Sequence, residues 1–191
     1  MNIKQLYDKL KSKQSYVNWL ESQLETSLKN KSSILNWVKT MFQHAEQKEW
    51  FETYWAIDIH GTFSIPDYRA TKKTINYYPF AKEVLQILSK RKDIILILFT
   101  SSYPKELEVY KKQLELDGII FNYVNENPEI SSSKGSFGFY KQKFYFNVLF
   151  DDKAGFNPEV DWVHLFTFLT TTNYRPNPNW EMKYKESYHK K

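Results

Sequence analysis

The chain has 191 residues, of which 18% are aromatic and only five are glycine, a composition that excludes a disordered polymer and suits one domain with a real core. It contains no cysteine, which excludes disulfides, thiolate zinc sites and cysteine nucleophiles. The formal net charge of +5 favours polyanions only if the lysines gather on one face, so a solvated surface and a nucleic-acid-binding face both remain open.

Met1 to Gln5 carry no apolar signal core, and no stretch approaches the roughly 18 apolar residues that a membrane span needs. The expectation is a soluble, cytoplasmic protein without membrane contact. Residues 1–50 read as a helical extension. Ile3, Leu6, Tyr7 and Leu10 recur at helical spacing, as do Val17, Leu20, Leu24 and Leu28, and then Ile34, Val38, Met41 and Ala45. Asn30, Lys31, Ser32 and Ser33 form a polar break with capping residues before the third of these segments. The extension either covers one side of the following domain or offers an arm to a partner.

Residues 51–170 alternate between two periodicities. Tyr54, Trp55, Ala56, Ile57, Asp58 and Ile59 make an apolar strand that delivers a carboxylate near its end, and His60, Gly61 and Thr62 follow as a sharp turn. A polar loop over residues 64–78 leads to an amphipathic helix with Pro79 placed for its first turn and Ala81, Val84, Leu85 and Leu88 on one face. The continuous apolar run over residues 94–99 suits a parallel strand buried on both faces, and Thr100, Ser101 and Ser102 stand at its end. Pro104 opens a second helix through Leu107, Tyr110 and Leu114 to a stop at Gly118. A third strand fits residues 119–124, an irregular loop residues 125–143, and a fourth strand residues 144–150, which end in the paired carboxylates Asp151 and Asp152. Residues 162–169 suit a covering helix, and residues 171–191 a polar, basic tail. Strands alternating with helices predict a doubly wound, mainly parallel α/β sheet.

In such a sheet the strands point the same way, so Asp58, Thr100 and the Asp151–Asp152 pair meet at one edge. Carboxylates there can hold a magnesium ion that neutralises a phosphate dianion, while a hydroxyl and a lysine bind the phosphoryl oxygens. With these residues in this order, about residues 53 to 165 resemble the haloacid dehalogenase (HAD) superfamily. Asp58, Ile59, His60, Gly61 and Thr62 look like its first motif, D-x-D-G-T; Thr100, Lys143 and Asp151–Asp152 look like its second, third and fourth.

The resemblance implies a three-layer α/β/α sandwich and a phosphatase in which Asp58 is the nucleophile. Mg²⁺ would then be bound by Asp58, the main chain of His60, and Asp151 or Asp152, with Thr100 and Lys143 on the phosphate and Gly61, Thr62, Ser101 and Lys141 lining the substrate. Lys141 and the more distant Lys134 rival Lys143. His60 stands where the family usually carries a second aspartate as general acid and base. An imidazole can do that work, yet a neighbouring cation opposes its protonated form. The intervals between Asp58, Thr100 and Asp151 leave no room for a large cap domain, and capless members imply phosphates on large molecules, including nucleotides and nucleic-acid ends. Arg69, Lys72, Lys73 and Lys134 would stand near the rim, as solvated charges or as a phosphate track. A catalytically inactive interaction or phosphate-binding protein is the alternative. His44, His164 and His189 lack metal-ligand spacing, and the interleaved Tyr184, Lys185, Tyr188, His189, Lys190 and Lys191 suit either single-stranded nucleic acid or docking on the domain itself.

Overall fold

Five buried residues followed by a half-buried carboxylate make Thr53–Asp58 (β1) an inner strand. In the computed structural model, which describes residues 13–19, 21–22, 32, 34–67, 69, 73–130 and 143–171, β1 pairs in parallel with Ile94–Phe99 (β2) on one side and Val148–Phe150 (β4) on the other. Tyr123–Val124 (β3) adds to the far side of β2, so the order is β3-β2-β1-β4 and every pair is parallel. The helices are Leu35–Gln47 (α1), Ala81–Ser89 (α2), Pro104–Leu116 (α3) and Asp161–Thr171 (α4). This is an α/β fold with a parallel sheet, as the alternating periodicities predict.

The two sheet faces are covered differently. Side chains alternate along a strand, and Trp55, Ile57, Leu96, Leu98, Val148 and Phe150 share one apolar cluster with residues from each of α1 to α4. Tyr54, Ala56 and Ile97 are buried outside that cluster. Connectivity explains the asymmetry. The crossovers from β1 to β2 and from β2 to β3 step the same way across the sheet, whereas the chain from β3 to β4 steps back past both. Right-handed connections predict the opposite face for that last step. There Tyr145 meets Tyr54 edge-on at 5.9 Å, and Phe144 meets Phe99 at 5.9 Å. A helical layer completing the α/β/α sandwich is not seen on that face among the described residues.

Two strands are shorter than their apolar runs suggest, because asparagine side chains take over hydrogen bonds that strand backbone would make. The Asn122 side chain accepts the Leu96 N–H at 2.9 Å, and the Asn147 side chain accepts the Tyr54 N–H at 2.8 Å. Regular pairing thus starts only at Tyr123 and Val148. Helix α2 also begins later than Pro79 implies. Phe80 adopts φ +64° ahead of it, a left-handed conformation disfavoured for a bulky side chain, and its buried ring packs on Phe166 at 4.9 Å.

Ahead of the sheet, α1 buries Val38, Met41 and Phe42, with Phe42 on Trp55 at 5.7 Å. The Ser32 hydroxyl accepts the Leu35 N–H and donates to the buried Asp161 at 2.6 Å, joining the start of α1 to the start of α4. Residues 13–19 are helical, and the Tyr16 hydroxyl donates to Glu83 of α2 at 2.8 Å. The helical readings of residues 1–12 and 23–31, Lys72, Lys134 and Lys141, and the basic tail from residue 172 lie outside the described residues. No helix among the described residues is long and apolar enough to cross a membrane.

Candidate functional site

The strand order reverses beside β1, and ligand crevices of open α/β sheets lie at such a switch point, beyond the strands' carboxyl ends. Asp58 ends β1 level with Phe99 of β2, and on the other side Ile57 pairs with Phe150, the residue before Asp151. One carboxylate oxygen each from Asp58, Asp151 and Asp152 lies within 4.8 Å of the others. Burial foremost, together with Asp151 and Asp152, pushes the Asp58 carboxyl up to about 6, against the opposing Ile59 N–H and Lys153. Three hard oxygen donors gathered this closely suit a hard divalent cation.

Backbone geometry brings the third carboxylate in. Gly61 has φ +79°, and a Cβ on it would stand 2.7 Å from Asp152 Oδ2. Only glycine offers both that conformation and that space. The Ile59 carbonyl accepts the Phe63 and Ser64 N–H groups, and Gly61 N–H donates to Ser64, closing the turn. Thr62 is fully buried beneath it. Its hydroxyl accepts the Asp152 N–H at 3.1 Å, and its carbonyl accepts the Trp162 indole N–H at 2.7 Å. Trp162 is itself packed on Phe150 and Phe156. Thr62, expected at the substrate, thus has its hydroxyl and carbonyl engaged inside the protein, where they position the Asp152 turn.

Thr100 occupies the other side of β1. It is nearly buried, its hydroxyl donates to Ser102 Oγ at 2.9 Å, and it accepts the Ser102 N–H at 3.1 Å. Asn125 clamps its backbone, accepting the Thr100 N–H at 2.8 Å and donating to its carbonyl at 2.7 Å. Asn125 does so from φ +54°, a left-handed conformation that asparagine tolerates. Ser101 next to it is exposed.

His60 turns toward α3. Its Nε2 lies 3.0 Å from the Tyr110 hydroxyl, and the rings meet edge-on at 5.4 Å. Burial lowers its pKa first, Glu106 opposes, and Lys73 and Lys153 lower it further. The imidazole stands outside the three-aspartate set. On the rim, Lys73 pairs with Glu106 at 3.5 Å, and the Arg69 N–H donates to Asp67. Lys143 is exposed and precedes Phe144, whose ring rests on Phe99 at the end of β2.

Three residues that build this site escaped sequence reasoning: Tyr110, Asn125 and Lys153. The Lys153 ammonium lies 3.1 Å from Asp152 Oδ1, and that hydrogen bond foremost holds its pKa above the usual range. Its place directly after two aspartates was the available signal. Tyr110 and Asn125 act across the fold and left none.

No family model matches the chain, and no curated protein matches it. A conserved protein from Bacteroides thetaiotaomicron is similar in structure over 73% of this chain and 93% of that one, with 20% identity and a TM-score of 0.42. That likeness carries no argument about function.

Proposed function

We propose that the chain is a cytoplasmic, Mg²⁺-dependent phosphomonoester hydrolase of the haloacid dehalogenase type, acting through Asp58. The supporting observation is the convergence of Asp58, Asp151 and Asp152 at the switch point, with Gly61 shaped to admit Asp152. Held by those three carboxylates, and by the His60 main chain if the resemblance extends that far, Mg²⁺ would neutralise the phosphate dianion that otherwise repels an attacking carboxylate.

Asp58 attacks phosphorus, the bond to the leaving oxygen breaks with its electron pair, and that oxygen takes up a proton. Water then attacks the same phosphorus and gives up a proton, the bond from phosphorus to the Asp58 oxygen breaks with its electron pair returning to the carboxylate, and inorganic phosphate leaves. Thr100, at the adjacent strand end, and Lys143 bind the phosphoryl oxygens, and Ser101 and Lys141 extend that contact toward the substrate. Nucleotides or nucleic-acid ends are the substrates that a capless rim and a basic chain favour.

One observation favours a second reading. The His60 ring is engaged with the nearly buried Tyr110, which draws away the group best placed for proton transfer and leaves an inactive protein that binds phosphate or a partner. Release of phosphate from p-nitrophenyl phosphate and a nucleotide panel, with Mg²⁺ or EDTA, separates the two. Cation-dependent turnover lost in Asp58→Asn supports the hydrolase. Absence of turnover across the panel, with orthophosphate still bound, favours the second reading.

A further inference from the structure

Asp152 has its two carboxylate oxygens committed in different directions: Oδ2 lies against Gly61, and Oδ1 holds the Lys153 ammonium at 3.1 Å. The two partners differ in freedom. Asp152 is fixed through its backbone N–H on Thr62, in a turn whose next N–H, that of Lys153, donates to Asp151 at 2.8 Å. Lys153 is anchored by that same bond, yet its four-carbon side chain is 79% exposed. Any rearrangement at this pair therefore moves the ammonium and leaves the carboxylate in place. The lysine's charge also acts on Asp58 and Asp151, so one tethered cation faces the whole carboxylate set.

We propose that Lys153 is a built-in counter-ion of the aspartate cluster, competing with a divalent cation for Asp152 and, once displaced, binding the anionic ligand that the cation recruits. This rests on the cation-dependent reading above. A divalent ion entering the cluster repels the ammonium and takes over the carboxylates it was neutralising. The displaced ammonium stays within a side chain's length of the site, where the phosphoryl group brings its negative charge. An exposed pair is weak and screened, so the competition is modest and salt-sensitive.

The test is calorimetric binding of Mn²⁺ and of Mg²⁺ to the full chain without substrate, comparing wild type, Lys153→Gln, Lys153→Arg and Asp58→Asn. Lys153→Gln binds either ion about three- to tenfold more tightly in low salt, and the gain fades near 1 M, where the screening length is about 3 Å. Lys153→Arg keeps the charge and matches wild type. Orthophosphate binding to the cation-loaded protein changes the opposite way and is several-fold weaker in Lys153→Gln. Equal or weaker cation binding by Lys153→Gln overturns the counter-ion role, and unchanged orthophosphate binding overturns the hand-over. If wild type binds the ion and Asp58→Asn does not, either failure falls on Lys153 alone. If folded wild type and Lys153→Gln both bind no ion, the cation reading of the site fails with it.

Discussion

The two sides of Asp58 are built by different means. Toward β4, Asp151 and Asp152 are set by a turn pinned from below: fully buried Thr62 receives the Asp152 N–H, fully buried Trp162 holds Thr62, and two phenylalanines hold Trp162. Toward β3, Thr100 is held by part-buried side-chain hydrogen bonds from Asn125 and Ser102. The β4 side is thus preorganised by packing and the Thr100 side by polar contacts that solvent can replace. Carboxylates that repel one another need enforced proximity, whereas a hydroxyl that meets an arriving anion can adjust.

Asp58→Asn is the largest intervention, since it removes the group common to both sides. On the proposed hydrolase reading, cation-dependent phosphate release falls by at least about 10⁴-fold, the scale set by loss of catalytic nucleophiles, and a steady-state assay reads it. Gly61→Ala comes next and strikes only the β4 side. The left-handed backbone costs about 1–2 kcal/mol with a side chain present, and the new methyl must displace the Asp152 carboxylate that would stand 2.7 Å away. Divalent-cation affinity drops by about tenfold or more, where 1.4 kcal/mol is one decade. If Gly61→Ala binds the ion normally, the close approach is incidental.

The comparison sharpens with a matched pair. Thr62→Val keeps the buried shape but leaves the Asp152 N–H without its acceptor, costing about 1–3 kcal/mol. Thermal unfolding shifts down by several degrees and cation affinity falls with it. Asn125→Ala removes two part-buried bonds at Thr100, costs about 1–2 kcal/mol, and weakens orthophosphate binding while leaving cation affinity unchanged. Equal effects of both variants on both ligands would mean that the two sides are not independent.

Much of this arrangement is legible in the sequence, for a definite reason. Strands with helices between them announce a parallel sheet, and a parallel sheet brings its strand ends together, so Asp58, Gly61, Thr100, Asp151 and Asp152 can be placed before any coordinates. What stayed hidden acts through long-range side-chain contacts. Nothing local marks Tyr110 as the partner of His60, Asn125 as the clamp on Thr100, or Trp162 as the support of Thr62. Apolar runs likewise overstate β3 and β4, because nothing in the periodicity says that Asn122 and Asn147 will replace strand backbone. The third layer of the sandwich is not seen among the described residues, and the alternation that announces the sheet does not require a helix between β3 and β4.

The smallest expected effect probes the preorganisation itself. Asp58 has its folded-state pKa pushed up to about 6, above the roughly 3.9 of an unfolded aspartate. Between those values the folded protein binds more protons than the unfolded chain, so in EDTA stability falls as pH rises through about 4 to 6. The full shift would be worth nearly 3 kcal/mol, but Asp58 is part-exposed and screening reduces this to about 1 kcal/mol. Asp58→Asn therefore raises the unfolding midpoint in EDTA at pH 7.5 by a few degrees and leaves it nearly unchanged at pH 4. Saturating Mg²⁺ removes the advantage at pH 7.5, because the cation stabilises only the wild-type carboxylate set. Midpoints that move together at both pH values would show that neither burial nor the neighbouring aspartates disfavour the charged Asp58. The residue proposed as nucleophile would then be stability-neutral, and the cluster would hold no unfavourable charge for a cation to relieve.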